Sequence, residues 1–417
     1  MQNNQKTLID IAPQNKSGWP WDYNPPQIPP TMPNGSPWPK ISIVTPSFNQ
    51  GQFIEETIRS VLLQGYPNLE YIIIDGGSTD GSVDIIKKYE PWLTYWVSEP
   101  DRGQSEALNK GIQKSSGFIF SWINSDDLYL PGILPDRVEK FLSSQDTVIL
   151  YGDLKFIDES SNYLQTWRPK QTTCKKLLID GNQIPQPGTI IRFDSLRAIG
   201  GLDPGLDFVM DYTLWLRLSM VGHLDYLPGE VACYRIHKLS KGGTIGYKFC
   251  TEAIEWVSGW TEVSNILSPN EQKEMFRRKN IAAALYAIFE GKVGEAVAHF
   301  NYAFQEEMWP FGNLDALVQK IINFKSMGEE TMKDSWERYD VLSNILNQVK
   351  PTYMSQKLNR SILSQYHVWA ARSSLTENKV RILTYLLKAI WYDPQQLFSR
   401  KFHYNLFHAI FSKKVGV

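Results

Sequence analysis

Ile41-Ser42-Ile43-Val44-Thr45-Pro46 and Tyr71-Ile72-Ile73-Ile74-Asp75-Gly76-Gly77 decide how this chain folds. The first is a short β-branched run ending at a proline, which reads as a strand followed by a loop. The second is wholly apolar until it meets an acid and two glycines, so it reads as a strand buried on both faces. Between them, Gln52 to Leu63 carries Phe53, Ile54, Ile58, Val61 and Leu62 at helical spacing. The alternation then continues. Ser82 to Tyr89 reads as helix, Leu93 to Val97 as strand, Gln104 to Lys114 as helix and Phe118 to Ile123 as strand. Strands without internal polar alternation, separated by helices, imply an α/β fold built on a mostly parallel sheet flanked by helices. On such a sheet, ligands bind beyond the carboxyl ends of the strands.

Working outward, residues 1 to 39 form an arm rich in Pro, Asn and Trp, with Trp19-Pro20-Trp21 and Pro25-Pro26. Proline removes backbone donors and favours extended chain, so the arm is expected to be irregular and to bury its tryptophans against the domain. Residues 145 to 245 mix strand-like and helical segments with Gly-Pro turns. Beyond about Gly246 the character is helical. Asn280 to Glu290 and Gly294 to Glu306 make an amphipathic pair around Gly291, and Val380 to Ala389 with Gln395 to Phe411 make another. The division expected is therefore an arm at 1–39, an α/β domain at 40–245 and a helical region at 246–417.

Composition excludes several classes. The 417 residues are 42% hydrophobic and 21% charged, with a net charge of -1, so a core is expected and no global field recruits nucleic acid. Cys174, Cys233 and Cys250 have neither zinc-ligand nor disulfide-framework spacing, which favours a reducing compartment. The first ten residues lack a signal-peptide core, and no apolar run approaches the ~20 residues needed to span a bilayer. The expectation is a cytoplasmic protein. The mixture of aromatic and basic residues from Arg400 to Lys414 leaves peripheral contact with the inner face of the plasma membrane open.

Three acidic sites carry the chemistry. Asp75 follows a buried strand and precedes glycines, where a carboxylate accepts hydrogen bonds from a base or ribose; the alternative is a turn in which Ser78 caps the next helix. Asn124-Ser125-Asp126-Asp127 follows the strand ending at Ile123. Adjacent carboxylates repel unless a cation or strong donors neutralise them, and hard cations prefer oxygen ligands. Asp211 opens an apolar helix, Met210-Asp211-Tyr212-Thr213-Leu214-Trp215-Leu216-Arg217, where an acid on its own is often a cap. Arg235 and His237 follow in Tyr234-Arg235-Ile236-His237-Lys238-Leu239-Ser240.

Taken in order, these motifs resemble the family 2 glycosyltransferases. The resemblance rests on Ile43-Val44-Thr45-Pro46-Ser47-Phe48-Asn49-Gln50 and Ile74-Asp75-Gly76-Gly77-Ser78-Thr79-Asp80-Gly81. It continues through Glu99-Pro100-Asp101-Arg102-Gly103-Gln104-Ser105, Asn124-Ser125-Asp126-Asp127 and the Asp211 helix, covering about residues 40 to 245. It implies the GT-A fold and transfer of a sugar from a nucleotide-diphosphate sugar, typically a UDP-sugar, to a hydroxyl on a saccharide or lipid-linked saccharide. Thr45, Pro46 and Ser47 would lie against the nucleotide, Asp75 would bond the base, and Arg102 would approach the nucleotide or its phosphates. Ser125-Asp126-Asp127 matches the DXD position: Asp127 would ligate Mn2+ or Mg2+, aided by His237, while Asp126 faces the ribose or donor sugar. Asp211 matches the general base of inverting members. Many relatives carry an acid before it, where this chain has Met210. Gln186-Pro187-Gly188-Thr189 would lie on the acceptor side.

Two other readings are weaker. A nucleotidyltransferase typically opens with a Gly-rich basic phosphate loop, which Thr45-Pro46-Ser47-Phe48-Asn49 is not. A non-catalytic scaffold would have no use for Asp75, Asp126, Asp127 and Asp211 together.

Overall fold

In a computed structural model of the chain, the described residues are 8, 10–13, 15–237, 240 and 246–305, with scattered positions between 345 and 389. They fall into two compact units, Met1–Thr244 with Glu255–Gln272, and Ile245–Ile254 with Lys273–Val417.

The first unit is built on a nine-stranded sheet. Strands β1 (Ile41–Ser47), β2 (Leu69–Asp75), β3 (Tyr95–Ser98) and β4 (Ile119–Trp122) alternate with helices α1 (Ile54–Leu62), α2 (Ser82–Tyr89) and α3 (Gln104–Lys114). β1 lies between β2 and β4, parallel to both, with Ile41 opposite Leu69 on one side and Ile119 on the other. The chain thus runs out through β2 and β3 and returns to the opposite side of β1. The crevice at the carboxyl ends of β1 and β4 is where an open α/β sheet binds its ligand.

The second half of the sheet comprises β5 (Leu128–Tyr129), β6 (Thr147–Ile157), β7 (Tyr163–Trp167), β8 (Ile190–Arg192) and β9 (His223–Arg235). The order is β3-β2-β1-β4-β8-β6-β9-β5, with β7 also on β6. β8 enters antiparallel beside β4, so the parallel ladder expected from the first four strands is joined to a mixed half, in which only β6 and β9 run parallel. Helices α4 (Leu134–Leu142), α5 (Cys174–Asp180), α6 (Phe193–Ala198) and α7 (Met210–Leu218) complete this half.

Ile41, Ile43, Ile58, Val61, Ile73 and Ile119 are fully buried in one core with α1 and α2 residues, which accounts for the unbroken apolar strands. α3 lies so close to β1 that a Cβ on Gly111 would overlap both methyls of Val44. Gly111→Val is therefore expected to destabilise the protein by about 3 kcal/mol, more than the ~1 kcal/mol that removing a helical glycine returns. A denaturant midpoint equal to that of the wild type would contradict this contact.

The N-terminal arm is tied to the first unit by one buried cation. Arg59, with no exposed surface, donates to the carbonyls of Leu8 (2.7 Å), Pro20 (2.9 Å) and Trp21 (2.8 Å). Trp21 and Trp38 are buried, and the Trp19 indole donates to the Tyr129 carbonyl at 2.8 Å. The arm is irregular because its polar backbone groups are satisfied by these long-range bonds rather than by ladders.

In the second unit, α8 (Gly246–Gly259) contributes its first residues, and α10 (Pro269–Phe289), from Lys273 on, and α11 (Val293–Ala303) turn about Gly291 at φ 71°. The short α9 (Val263–Ile266) belongs to the first unit. Ala284, Leu285, Ala296 and Phe300 form part of the helical core of the second unit. Among the described residues no helix is long and apolar enough to cross a membrane. The expected helix Gln395 to Phe411 and the basic stretch Arg400 to Lys414 lie outside the described residues.

Candidate functional site

A cleft of about 440 Å³ opens at the carboxyl ends of β1, β2 and β4, lined in part by Pro46, Ser47, Gly76, Asp101, Gln104 and Asp126. That volume suits a small organic ligand.

The acidic pair is split by its surroundings. β5 pairs with β9 so that Leu128 faces Cys233, which brings Asp126 and Asp127 beside Arg235 and His237. Asp127 turns inward and is 1% exposed. Its carboxylate accepts from the Arg235 backbone N–H (3.0 Å) and the Asn124 amide (3.1 Å). Burial, reinforced by the neighbouring Asp126 charge, holds its carboxyl well above the usual carboxylate range. Asp126 turns outward and lines the cleft, with its side chain 17% exposed and Oδ2 2.9 Å from His237 Nε2. The two expected site carboxylates are thus placed differently: the Asp127 lone pairs face chain donors, and Asp126 stands in the cleft with His237 behind it.

This corner is held rigidly. The Arg235 guanidinium, fully buried, bonds the Asp126 carbonyl (2.9 Å), Glu56 (2.6 Å) and Ser161 Oγ (2.8 Å), and stacks on Phe53, which in turn meets the His237 ring. Glu56 and Phe53 carry no pattern that sequence reading could pick out, since they sit within an ordinary amphipathic helical segment.

Asp126 and His237 hydrogen-bond one another at 2.9 Å, and their oxygen and imidazole nitrogen are also donor types that a divalent cation such as Mn2+ takes. Two neighbouring ligands about 2.1 Å from one octahedral ion are themselves about 3 Å apart. Among the described residues no three His, Cys, Asp or Glu side chains gather as a closed metal cage. A cation on Asp126 and His237 would therefore complete its shell with ligand oxygens and water, the usual arrangement for Mg2+ beside a phosphate.

On the other side of the cleft the expected residues are distributed differently. Asp75, with no exposed surface, accepts from Ser78 Oγ on one oxygen, and from Gly77 N, Ser78 N and Ser98 Oγ on the other. Its lone pairs hold the loop together, and it is not among the cleft-lining residues. Ser78 also accepts from Asn49 N instead of capping α2, whose first N–H is taken by Asp80. Pro46 and Ser47 reach the cleft, while Thr45 lies behind it, bonded to the Tyr71 hydroxyl. Arg102 lines the cleft with an 83% exposed side chain and is paired with Glu106 at 2.7 Å. Gln186 bonds Asn124 and the Trp122 carbonyl, so it braces the acidic loop from β4.

Asp211 lies in the first turn of α7. Asn182 donates to its Oδ2 (2.9 Å), and its Oδ1 accepts the Tyr212 N–H (2.7 Å). Burial pushes its carboxyl up to about 6, against the pull of those donors. Met210 fills a buried slot and receives the Ser105 hydroxyl on its sulfur, which joins α7 to the start of α3 beside the cleft.

A family model and sequence relatives place the chain among the glycosyltransferases. The family model described as Glycosyl transferase family 2 matches residues 42–200. An uncharacterized glycosyltransferase of Rickettsia typhi is 32% identical over 208 residues, which are 48% of this chain and 64% of that protein. One from Mycobacterium tuberculosis is 30% identical over 185 residues, 44% of this chain and 70% of that protein. The chain thus spans a little under two thirds of the Rickettsia typhi relative. Among solved structures, residues 1–349 of S. aureus TarS with UDP-GlcNAc superpose with a TM-score of 0.42 at 13% identity, covering 84% of this chain and 91% of that one. A mannosyltransferase from Pyrobaculum calidifontis with GDP-Man and Mn2+ gives 0.45 at 14% identity, covering 80% and 89%.

Proposed function

The chain belongs to glycosyl transferase family 2, and on that premise we propose that it transfers a sugar from a nucleotide-diphosphate sugar, a UDP-sugar first among them, to a hydroxyl of a saccharide or lipid-linked saccharide. The observation that carries this reading is the cleft itself: Asp126, backed by His237, lines it at the end of the parallel strands, with α3 linking it to Asp211 on α7. The GT-A-type first unit is the catalytic part.

Asp126 and His237 hold Mn2+ or Mg2+ on this reading. When bound, the cation supplies Lewis-acid stabilisation of the charge that develops on the departing nucleotide diphosphate. Arg235, Phe53 and Glu56 keep the pair in place. Asp211 takes the proton from the acceptor hydroxyl as that oxygen attacks the anomeric carbon, and a single displacement inverts the configuration. Asn182 and the Tyr212 N–H orient its two oxygens.

Screening UDP-, GDP- and dTDP-sugars for Mn2+-dependent release of the nucleoside diphosphate tests the reading. Release with at least one donor, abolished by chelation, is expected; background rates with all of them would overturn it. The pH profile follows from Asp211. Its basic form grows as pH rises through about 6, so kcat should climb about tenfold per unit below that value and level off above it. A limb near pH 4, the range of an unperturbed aspartate, would remove Asp211 as the base.

A further inference from the structure

Resting on the reading of the cleft as a nucleotide-sugar site, we infer that the nucleobase is read by Asp101 together with Ser47, and that the pair selects bases whose ring N–H lies beside a carbonyl. Asp75, the carboxylate expected for this task, has both oxygens filled by Gly77, Ser78 and Ser98 and no exposed surface. Strand β2 is followed instead by Gly76, whose missing side chain leaves a space in the cleft wall. The Asp101 carboxylate occupies that space: its Oδ2 lies 2.8 Å from where a Cβ on Gly76 would stand. Its Oδ1 accepts the Gly103 N–H at 2.9 Å, which fixes the group on the turn into α3 and leaves Oδ2 beside Gly76 on the cleft wall.

A second observation comes from the other side of Gly76. The Gly76 N–H donates to the Ser47 carbonyl at 2.8 Å, so the two residues adjoin. Ser47 is 4% exposed, lines the cleft, and its hydroxyl has no hydrogen-bond partner in the protein. A buried hydroxyl left unpaired costs free energy that a ligand can recover. A fixed acceptor and an unsatisfied hydroxyl, on two residues that both adjoin Gly76, complement an N–H next to a C=O. Uracil, thymine and guanine present that edge. Cytosine and adenine present a ring-nitrogen lone pair there, which faces the carboxylate with the wrong polarity.

The test is calorimetric binding of UDP, GDP, dTDP, CDP and ADP to the full chain with Mn2+, with inorganic pyrophosphate as a base-free probe. The wild type should bind at least one of the first three about tenfold or more tightly than CDP and ADP. Asp101→Ala should reduce that preference to near unity and leave pyrophosphate binding unchanged. Combining Asp101→Ala with Gly76→Asp, which returns a carboxylate to the same space, should restore the preference; a merely structural Asp101 would not be rescued in this way. Asp101→Ala with its preference intact overturns the inference while leaving the donor site standing. A wild type that binds pyrophosphate and all five nucleotides alike also overturns it. A wild type that binds none of the probes fails both the inference and the reading on which it rests.

Discussion

Asp211→Asn should lower kcat by about 10²- to 10⁴-fold, the range for losing a general base, with little change in donor affinity. The substitution keeps the shape of the side chain and an oxygen for the Tyr212 N–H, while its NH2 stands where the second oxygen accepted from Asn182. It removes the basic carboxylate that burial has tuned to about 6, along with the bond accepted from Asn182. Because Asp211 is not among the cleft-lining residues that would meet the nucleotide, the loss should fall on turnover and spare KM for the donor. Equal turnover in the variant would dismiss Asp211 from the reaction. A loss in KM alone would make it a binding residue.

The second large effect separates the adjacent carboxylates. Asp126→Ala is expected to lower turnover by about 10²- to 10³-fold, on the scale of losing one electrostatic contact to developing charge, and to remove the dependence of donor binding on Mn2+. Asp127→Asn should keep that dependence, because the Asp127 carboxyl faces Arg235 N and Asn124 from inside the fold. Its cost should appear in stability, at about 1–3 kcal/mol for a disturbed buried hydrogen-bond pair. The reverse pattern, with Mn2+ dependence lost in Asp127→Asn and kept in Asp126→Ala, would return the cation to the inner carboxylate.

This division between neighbours marks where sequence reading stops. The alternating strands and helices up to β4 were legible because burial on both faces leaves an unbroken apolar run, and β1 to β4 lie within about two residues of the expected positions. The mixed half was not, since Leu150 of β6 pairs with Ile190 of β8, far along the chain, and no local pattern reports that register. The motifs indicated which loops gather at the strand ends. They did not indicate which way a side chain turns there. Asp75 and Asp127 look like ligands in a linear sequence, yet each is consumed by donors from its own surroundings. Asp101, part of one motif but without an expected role of its own, reaches the cleft wall beside Gly76, because that glycine leaves it room. Asn182 drew no notice for a similar reason: its partner Asp211 is 29 residues away.

On the proposed reading, the cleft at the ends of β1 and β4 holds a cation between Asp126, His237 and a nucleotide diphosphate. Anomalous diffraction at the manganese edge from crystals grown with Mn2+ and UDP tests it most directly. The account predicts one strong peak about 2.1–2.3 Å from both Asp126 Oδ2 and His237 Nε2, in contact with diphosphate oxygens. A peak coordinated by Asp127 in place of Asp126, or UDP bound in the cleft with no manganese beside it, would contradict it.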